Sequence, residues 1–154
     1  MADWFRQLWA ESLGKKHSLD GRVVHVGQTP IKALGATDQH SQIQLYVEGP
    51  NNKTVTFLAL DRFAREVKIP TAMQADKDLG YLCGRTMNEL MEAERVGTQL
   101  ALTEAQRPNA TITLPGLNAH AVGQLLYMLE VQTAVAGRLY GIDAFDQPGV
   151  EAGK

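Results

Sequence analysis

A helix start that the sequence itself defines lies between two short β-strand segments. Thr86 and Glu89 have the spacing of a capping box, in which the hydroxyl and the carboxylate each bind a free backbone N–H of the first turn. The predicted helix runs to about residue 105, and Pro108 follows it. Residues 53–60 before the helix and 109–114 after it are rich in β-branched and apolar side chains, which favour strands. The chain therefore contains a predicted strand–helix–strand unit.

The other predicted elements extend this alternation. They are an amphipathic helix over 3–13, a buried strand over 21–27, a short helix over 40–48, an edge strand over 67–69 and a long apolar helix that begins near residue 118. Strands that are apolar on both faces and separated by helices indicate the α/β class, with a parallel sheet covered by helices on both sides. The first helix has no capping residue before it, so we expect it to be the end of a longer helix, with a naturally short first helix as the alternative.

Charge and cysteine content exclude several functional classes. The 154 residues have a net charge of -2 and a charged fraction of 21%, so there is no basic surface to attract nucleic acid. Cys83 is the only cysteine, which excludes an internal disulfide and a cysteine-rich zinc site. No apolar run is long enough to cross a membrane, and the four histidines show no metal-ligand spacing. We expect a soluble, cytoplasmic protein without a metal site.

Two polar segments contain the candidate site residues. His40 lies in Thr-Asp-Gln-His-Ser-Gln, residues 37–42, and an imidazole there can move a proton near neutral pH. A capping or solvent-exposed role is the alternative. Gln147 and Lys154 are seven residues apart, so a helix that begins here would place them on one face, where an amide and an ammonium can hold hydroxyl or phosphate oxygens. A simple turn between two helices is the alternative for this segment.

Both segments match motifs of one enzyme family. Residues 137–154 read Gly-x-Leu-Tyr, four spacer residues, Phe-Asp-Gln-x-Gly-Val-Glu, two more residues and Lys, and residues 35–42 read Gly-Ala-Thr-Asp-Gln-His-Ser-Gln. Further matching strings lie at 9–14, 45–50 and 123–127. With these motifs the whole chain resembles the C-terminal part of the glucose-6-phosphate isomerase family in its shorter bacterial form.

The resemblance implies a fold and a reaction. Members of this family contain two sugar-isomerase domains, each a three-layer, flavodoxin-like αβα sandwich around a parallel sheet, and residues 1–154 resemble the second domain. The family interconverts glucose 6-phosphate and fructose 6-phosphate by opening the sugar ring and moving a proton between C1 and C2 through an enediol. No cofactor is implied. The implied partners are the sugar phosphate, an N-terminal domain of the same enzyme and a second subunit in a homodimer.

Three site residues follow from the resemblance. His40 matches the histidine that assists ring opening and reaches the neighbouring subunit's active site. Lys154 matches the closing lysine of the signature, which acts near the ring oxygen, and Gln147 matches the glutamine that contacts the sugar phosphate. The family's phosphate loop, its Gly-Gly-Arg motif and its proton-transfer glutamate are expected upstream of Met1. We therefore expect an inactive fragment, with a regulatory sugar-phosphate-binding module or a separately encoded N-terminal partner as alternatives.

Overall fold

The computed structural model of the protein describes residues 1–151. Within that range the helices are α1 (Ala2–Leu13), α2 (Thr37–Ser41), α3 (Ile43–Glu48), α4 (Met87–Glu104), α5 (Ala119–Tyr140) and α6 (Pro148–Glu151). The strands are β1 (Lys15–His17), β2 (Val23–Val26), β3 (Val55–Leu60) and β4 (Asn109–Leu114). Two compact units are distinguished by their internal contacts. One comprises Met1–Lys32 and the described residues from Val122 onward, and the other comprises Ala33–Ala121.

The second unit contains the strand–helix–strand arrangement that the sequence predicts. β3 and β4 pair in parallel, in register from Val55 opposite Asn109 to Leu60 opposite Leu114. α4 lies between them along the chain and begins at the predicted capping box: Thr86 Oγ1 accepts from the Glu89 N–H at 3.1 Å, and the Glu89 carboxylate accepts from the Thr86 N–H at 2.8 Å. This second bond lowers the pKa of the Glu89 carboxyl. The α/β class is confirmed.

Two predicted elements of this unit differ in detail. The helix expected over 40–48 consists of α2 and α3, because Gln42 between them leaves helical geometry with a φ of -123°. The edge strand expected over 67–69 is a single antiparallel bridge between Lys68 and Thr86. The parallel pair and α4 are thus set by local sequence, whereas the connecting segments are irregular.

The first unit is built around the end of α1. Leu13, fully buried, packs with Ala136 of α5 and with Ile142, which is 2% exposed. β1 and β2 form a small antiparallel ribbon that places Val24 and Val26 against this core. The prediction of a buried strand over 21–27 within a parallel sheet is therefore wrong: only one face of β2 is packed, and Val23 on the other face is 61% exposed.

The end of α5 fixes the path of the following loop. Gly141, with a φ of 67°, ends the helix, and its N–H and that of Ile142 bind the carbonyls of Arg138 and Gly137 in a Schellman motif. Gly137 is buried, and a Cβ there would lie 2.7 Å from the Cβ of Ala144. A side chain at this position would push the loop away from α5, so the glycine is required for close packing.

Among the described residues, no helix has both the length and the apolar character needed to span a membrane.

The capping box yields a stability prediction. Replacing Thr86 with alanine removes the acceptor for the Glu89 N–H, so we expect the free energy of unfolding to fall by about 1 kcal/mol in urea denaturation. Thr54→Ala is the control, because Thr54 is exposed and lies outside helices and strands. Equal stability of Thr86→Ala and the wild type would show that α4 does not depend on its cap.

Candidate functional site

The segment that carries the Phe-Asp-Gln motif, residues 145–151, is here called the signature segment. It lies in the first unit, beside the C-terminal half of α1. After Ile142 the chain turns at Asp143, whose carboxylate accepts from the Phe145 N–H at 2.9 Å, and α6 begins at Pro148. The Gln147 carbonyl accepts from the Val150 and Glu151 N–H groups, so Gln147 is fixed at the start of α6. A helix therefore does begin in this segment, but the expectation that it carries Gln147 and Lys154 on one face involves a residue outside the described ones.

A cleft of about 240 Å³ separates α6 from α1. Gln147 lies on one side and Glu11 on the other, and the Gln147 Nε2 donates to Glu11 Oε2 across it at 3.4 Å, a long hydrogen bond. The remaining walls are small or apolar: Ala10, Gly14, Pro148, Gly149 and Val150. The cleft therefore brings one carboxylate and one amide together with little else to compete for a ligand.

The Glu11 carboxylate is exposed yet oriented. Its Oε1 accepts from the Gln7 Nε2 at 3.1 Å, one turn earlier on α1, while Oε2 faces Gln147. Glu11 also borders a second, larger cleft of about 760 Å³ along α1. At the far end of that cleft the Lys32 ammonium donates to Asp3 at 3.0 Å and lowers the pKa of its carboxyl. Glu11 thus borders both clefts, and each of its carboxylate oxygens accepts a hydrogen bond from a glutamine amide.

A buried cation lies beneath this pair. Lys15, only 6% exposed, directs its ammonium back at the end of α1, where it donates to the Ser12 carbonyl at 2.7 Å and to the Glu11 carbonyl at 3.2 Å. The same Nζ lies 3.5 Å from Asp146 Oδ1. One side chain thus joins the helical turn that carries Glu11 to the residue that precedes Gln147.

His40 belongs to the second unit. It is exposed on α2, and Gln39 next to it anchors that helix to α4 by donating to the Glu94 carbonyl at 2.7 Å. Asp38 accepts from the Leu34 N–H at 2.6 Å and from the Ser41 hydroxyl at 2.9 Å. Partial burial, together with the Asp38 charge, raises the pKa of the Tyr46 phenol on α3. The imidazole is therefore presented to solvent from a small helix that is held in place at its neighbouring residues.

Of the three residues singled out in the sequence, Gln147 lies in the cleft with Glu11, His40 lies in the other unit, and Lys154 lies outside the described residues. Sequence reasoning did not single out Glu11, the carboxylate that shares the cleft with Gln147. The available signal was its position in the string Trp-Ala-Glu-Ser-Leu-Gly at 9–14, a glutamate one turn before a helix-ending glycine. Within residues 1–151, no three His, Cys, Asp or Glu side chains are grouped to hold a metal ion.

The chain is similar in sequence to glucose-6-phosphate isomerases. The sequence profile of the family described as "Phosphoglucose isomerase" matches residues 1–154. The glucose-6-phosphate isomerase of Carboxydothermus hydrogenoformans is 51% identical over 154 residues, which are 100% of this chain and 33% of that protein. The chain thus spans about a third of the length of the curated relatives that it matches.

Solved structures show the same correspondence. A hypothetical protein from Thermus thermophilus superposes with a TM-score of 0.88 at 41% identity, covering 99% of this chain and 36% of that one. A glucose-6-phosphate isomerase from Chlamydia trachomatis superposes with a TM-score of 0.79 at 23% identity, covering 99% of this chain and 30% of that one. The second likeness concerns the fold alone, and it supports the predicted sugar-isomerase fold.

Proposed function

Because the chain belongs to the phosphoglucose isomerase family, we propose that it is the C-terminal sugar-isomerase domain of a two-domain enzyme that interconverts glucose 6-phosphate and fructose 6-phosphate. The match of the family profile to all 154 residues supports the assignment. The coverage of only a third of each relative supports an incomplete site, in which the phosphate-binding groups come from sequence outside these residues.

Glu11 is the proposed proton-transfer base. Isomerisation through an enediol requires one group that removes a proton from C2 and returns it to C1, and a carboxylate within hydrogen-bond reach can do this. Glu11 is the carboxylate that shares the signature cleft with Gln147, and two glutamine amides orient its oxygens. This proposal replaces the expectation that the base lies outside the chain. Gln147 then contacts the sugar phosphate from the opposite wall.

The remaining roles concern ring opening. His40 is exposed on α2, where it can reach a sugar held by another subunit of a homodimer. As the bond between the anomeric carbon and the ring oxygen breaks, His40 moves the proton of the anomeric hydroxyl to the ring oxygen. Lys154 acts with it near O1. The chain by itself does not isomerise the sugar phosphate. Catalysis depends on holding the substrate against Glu11, and the groups that bind its phosphate come from sequence outside these residues.

The division of the site predicts the behaviour of the separate pieces. In a coupled assay with fructose 6-phosphate, the 154-residue chain should show no turnover above the blank. A chimera in which this chain replaces the matching third of the Carboxydothermus hydrogenoformans relative should isomerise the sugar. Turnover by the chain alone would contradict its dependence on other sequence, and an inactive but folded chimera would contradict the assignment as an isomerase domain. Calorimetry showing tight binding of fructose 6-phosphate to the chain alone would favour a regulatory module.

Glu11 can be tested in the same chimera. Glu11→Gln keeps the shape of the side chain and removes the base, so we expect kcat to fall by about 10²- to 10⁴-fold, the usual contribution of a positioned general base. Glu130→Gln, at an exposed glutamate of α5, is the matched control and should retain full rate. A Glu11→Gln chimera that keeps half of the wild-type rate would rule out this carboxylate as the base.

The role of His40 predicts a dependence on the form of the substrate. His40→Ala in the chimera should slow reaction from the cyclic sugar much more than from an open-chain analogue, because only the cyclic form requires ring opening. His120→Ala, at another exposed histidine, should change neither rate. Equal losses on both substrates would argue against a ring-opening role and in favour of a structural one.

A further inference from the structure

We propose that Lys15 is a positioning residue for the proposed isomerase reaction: it sets the distance between Glu11 and Gln147 from beneath the cleft. This inference rests on the proposed function for its catalytic meaning and on the geometry of the first unit for its structural content. Lys15 is absent from the walls of both clefts that Glu11 borders, so its effect is exerted through the backbone of α1 and through Asp146.

Lys15 fixes the end of α1, from which Glu11 projects. The last carbonyls of a helix have no partner within the helix and carry the negative end of its dipole. The buried Lys15 ammonium binds two of these carbonyls, and one of them belongs to Glu11 itself. Burying a lysine is unfavourable unless its charge and its N–H donors find partners, so the ammonium is confined to this position. The backbone from which the Glu11 side chain projects is therefore fixed.

Lys15 also acts on the opposite wall of the cleft, through Asp146. The Lys15 Nζ lies 3.5 Å from Asp146 Oδ1, and Asp146 is bonded directly to Gln147. Asp146 is 54% exposed at its side chain, so the charge pair alone contributes little to stability. Its consequence is geometric: the same cation that fixes Glu11 also limits the movement of the loop that carries Gln147. The long 3.4 Å contact between the two site residues depends on this connection.

Lys15 and its neighbour Lys16 differ in burial, and only Lys15 contacts the end of α1. Lys16 is one residue further along the chain and exposed, so it can be exchanged without affecting the end of α1. Lys15 also begins β1, where it pairs opposite Val26 next to the Leu13 core. The strand pairing fixes the Lys15 backbone, and the short distance to α1 then leaves its ammonium with the helix carbonyls as partners.

The test uses the 154-residue chain and a distance measured by NMR. In the wild type, the Gln147 side-chain amide protons should show a nuclear Overhauser effect to the Glu11 Cγ methylene. Lys15→Met, which keeps most of the packing volume, should lose this effect, whereas the effects between Leu13 and Ile142 in the core should remain. Lys16→Met is the control and should retain both. An unchanged Gln147–Glu11 effect in Lys15→Met would overturn the proposal.

Two further measurements keep the proposal open to refutation. If Lys15→Met does not fold, Asp146→Asn removes the charge partner while both α1 carbonyls stay bound. It should also weaken the Gln147–Glu11 effect, and no weakening would overturn the proposal.

In the chimera, Lys15→Met should lower kcat by about 10- to 100-fold, with KM little changed, since small misplacements at a reacting centre cost rate. Lost distance contact with an unchanged kcat would overturn the positioning role. An inactive wild-type chimera would count against the isomerase assignment and leave the NMR test intact.

Discussion

The carbonyl groups at the end of α1 must find hydrogen-bond partners where the chain turns sharply into β1, and this requirement organises the first unit. The buried ammonium of Lys15 meets it at the Glu11 and Ser12 carbonyls. Leu13 can then be fully buried against Ala136 and Ile142, and the ribbon of β1 and β2 can cover this core. Glu11, one turn before the end, is left facing the cleft with Gln147.

Under the proposed function, the cleft with Glu11 and Gln147 supplies only part of the groups that the reaction needs. Glu11 and Gln147 belong to one compact unit and His40 to the other, and each is held by its own local contacts. Relatives of the same family are about three times as long as this chain. A carboxylate and an amide in a small cleft can orient a sugar and move a proton, but they supply no charge to neutralise a phosphate group. Because the groups that bind the phosphate must come from other sequence, we propose a domain that is active only within a longer enzyme.

The elements that the sequence predicted well are those with strong local signals. α4 begins directly after its Thr86 cap, as expected, because the capping box acts within four residues, and β4 coincides with the β-branched run that predicted it. β2 was predicted as a buried strand of a parallel sheet, whereas it is antiparallel to β1 and packed on one face. Its apolar residues Val24 and Val26 are packed on one side by Leu13, and β1 lies too near along the chain for any arrangement but an antiparallel ribbon.

The sequence by itself determined the α/β class, the start of α4 and the family resemblance, and it singled out His40 and Gln147 as candidate site residues. The tertiary structure decided which carboxylate lies beside Gln147: Glu11 and Gln147 are 136 positions apart and meet because Leu13 and Ile142 share a core. It also decided that Lys15 is a buried link, whereas Lys16 beside it is exposed. Caps and strand propensities act over a few residues and can be predicted from local sequence, but contacts between distant segments depend on how their apolar faces pack.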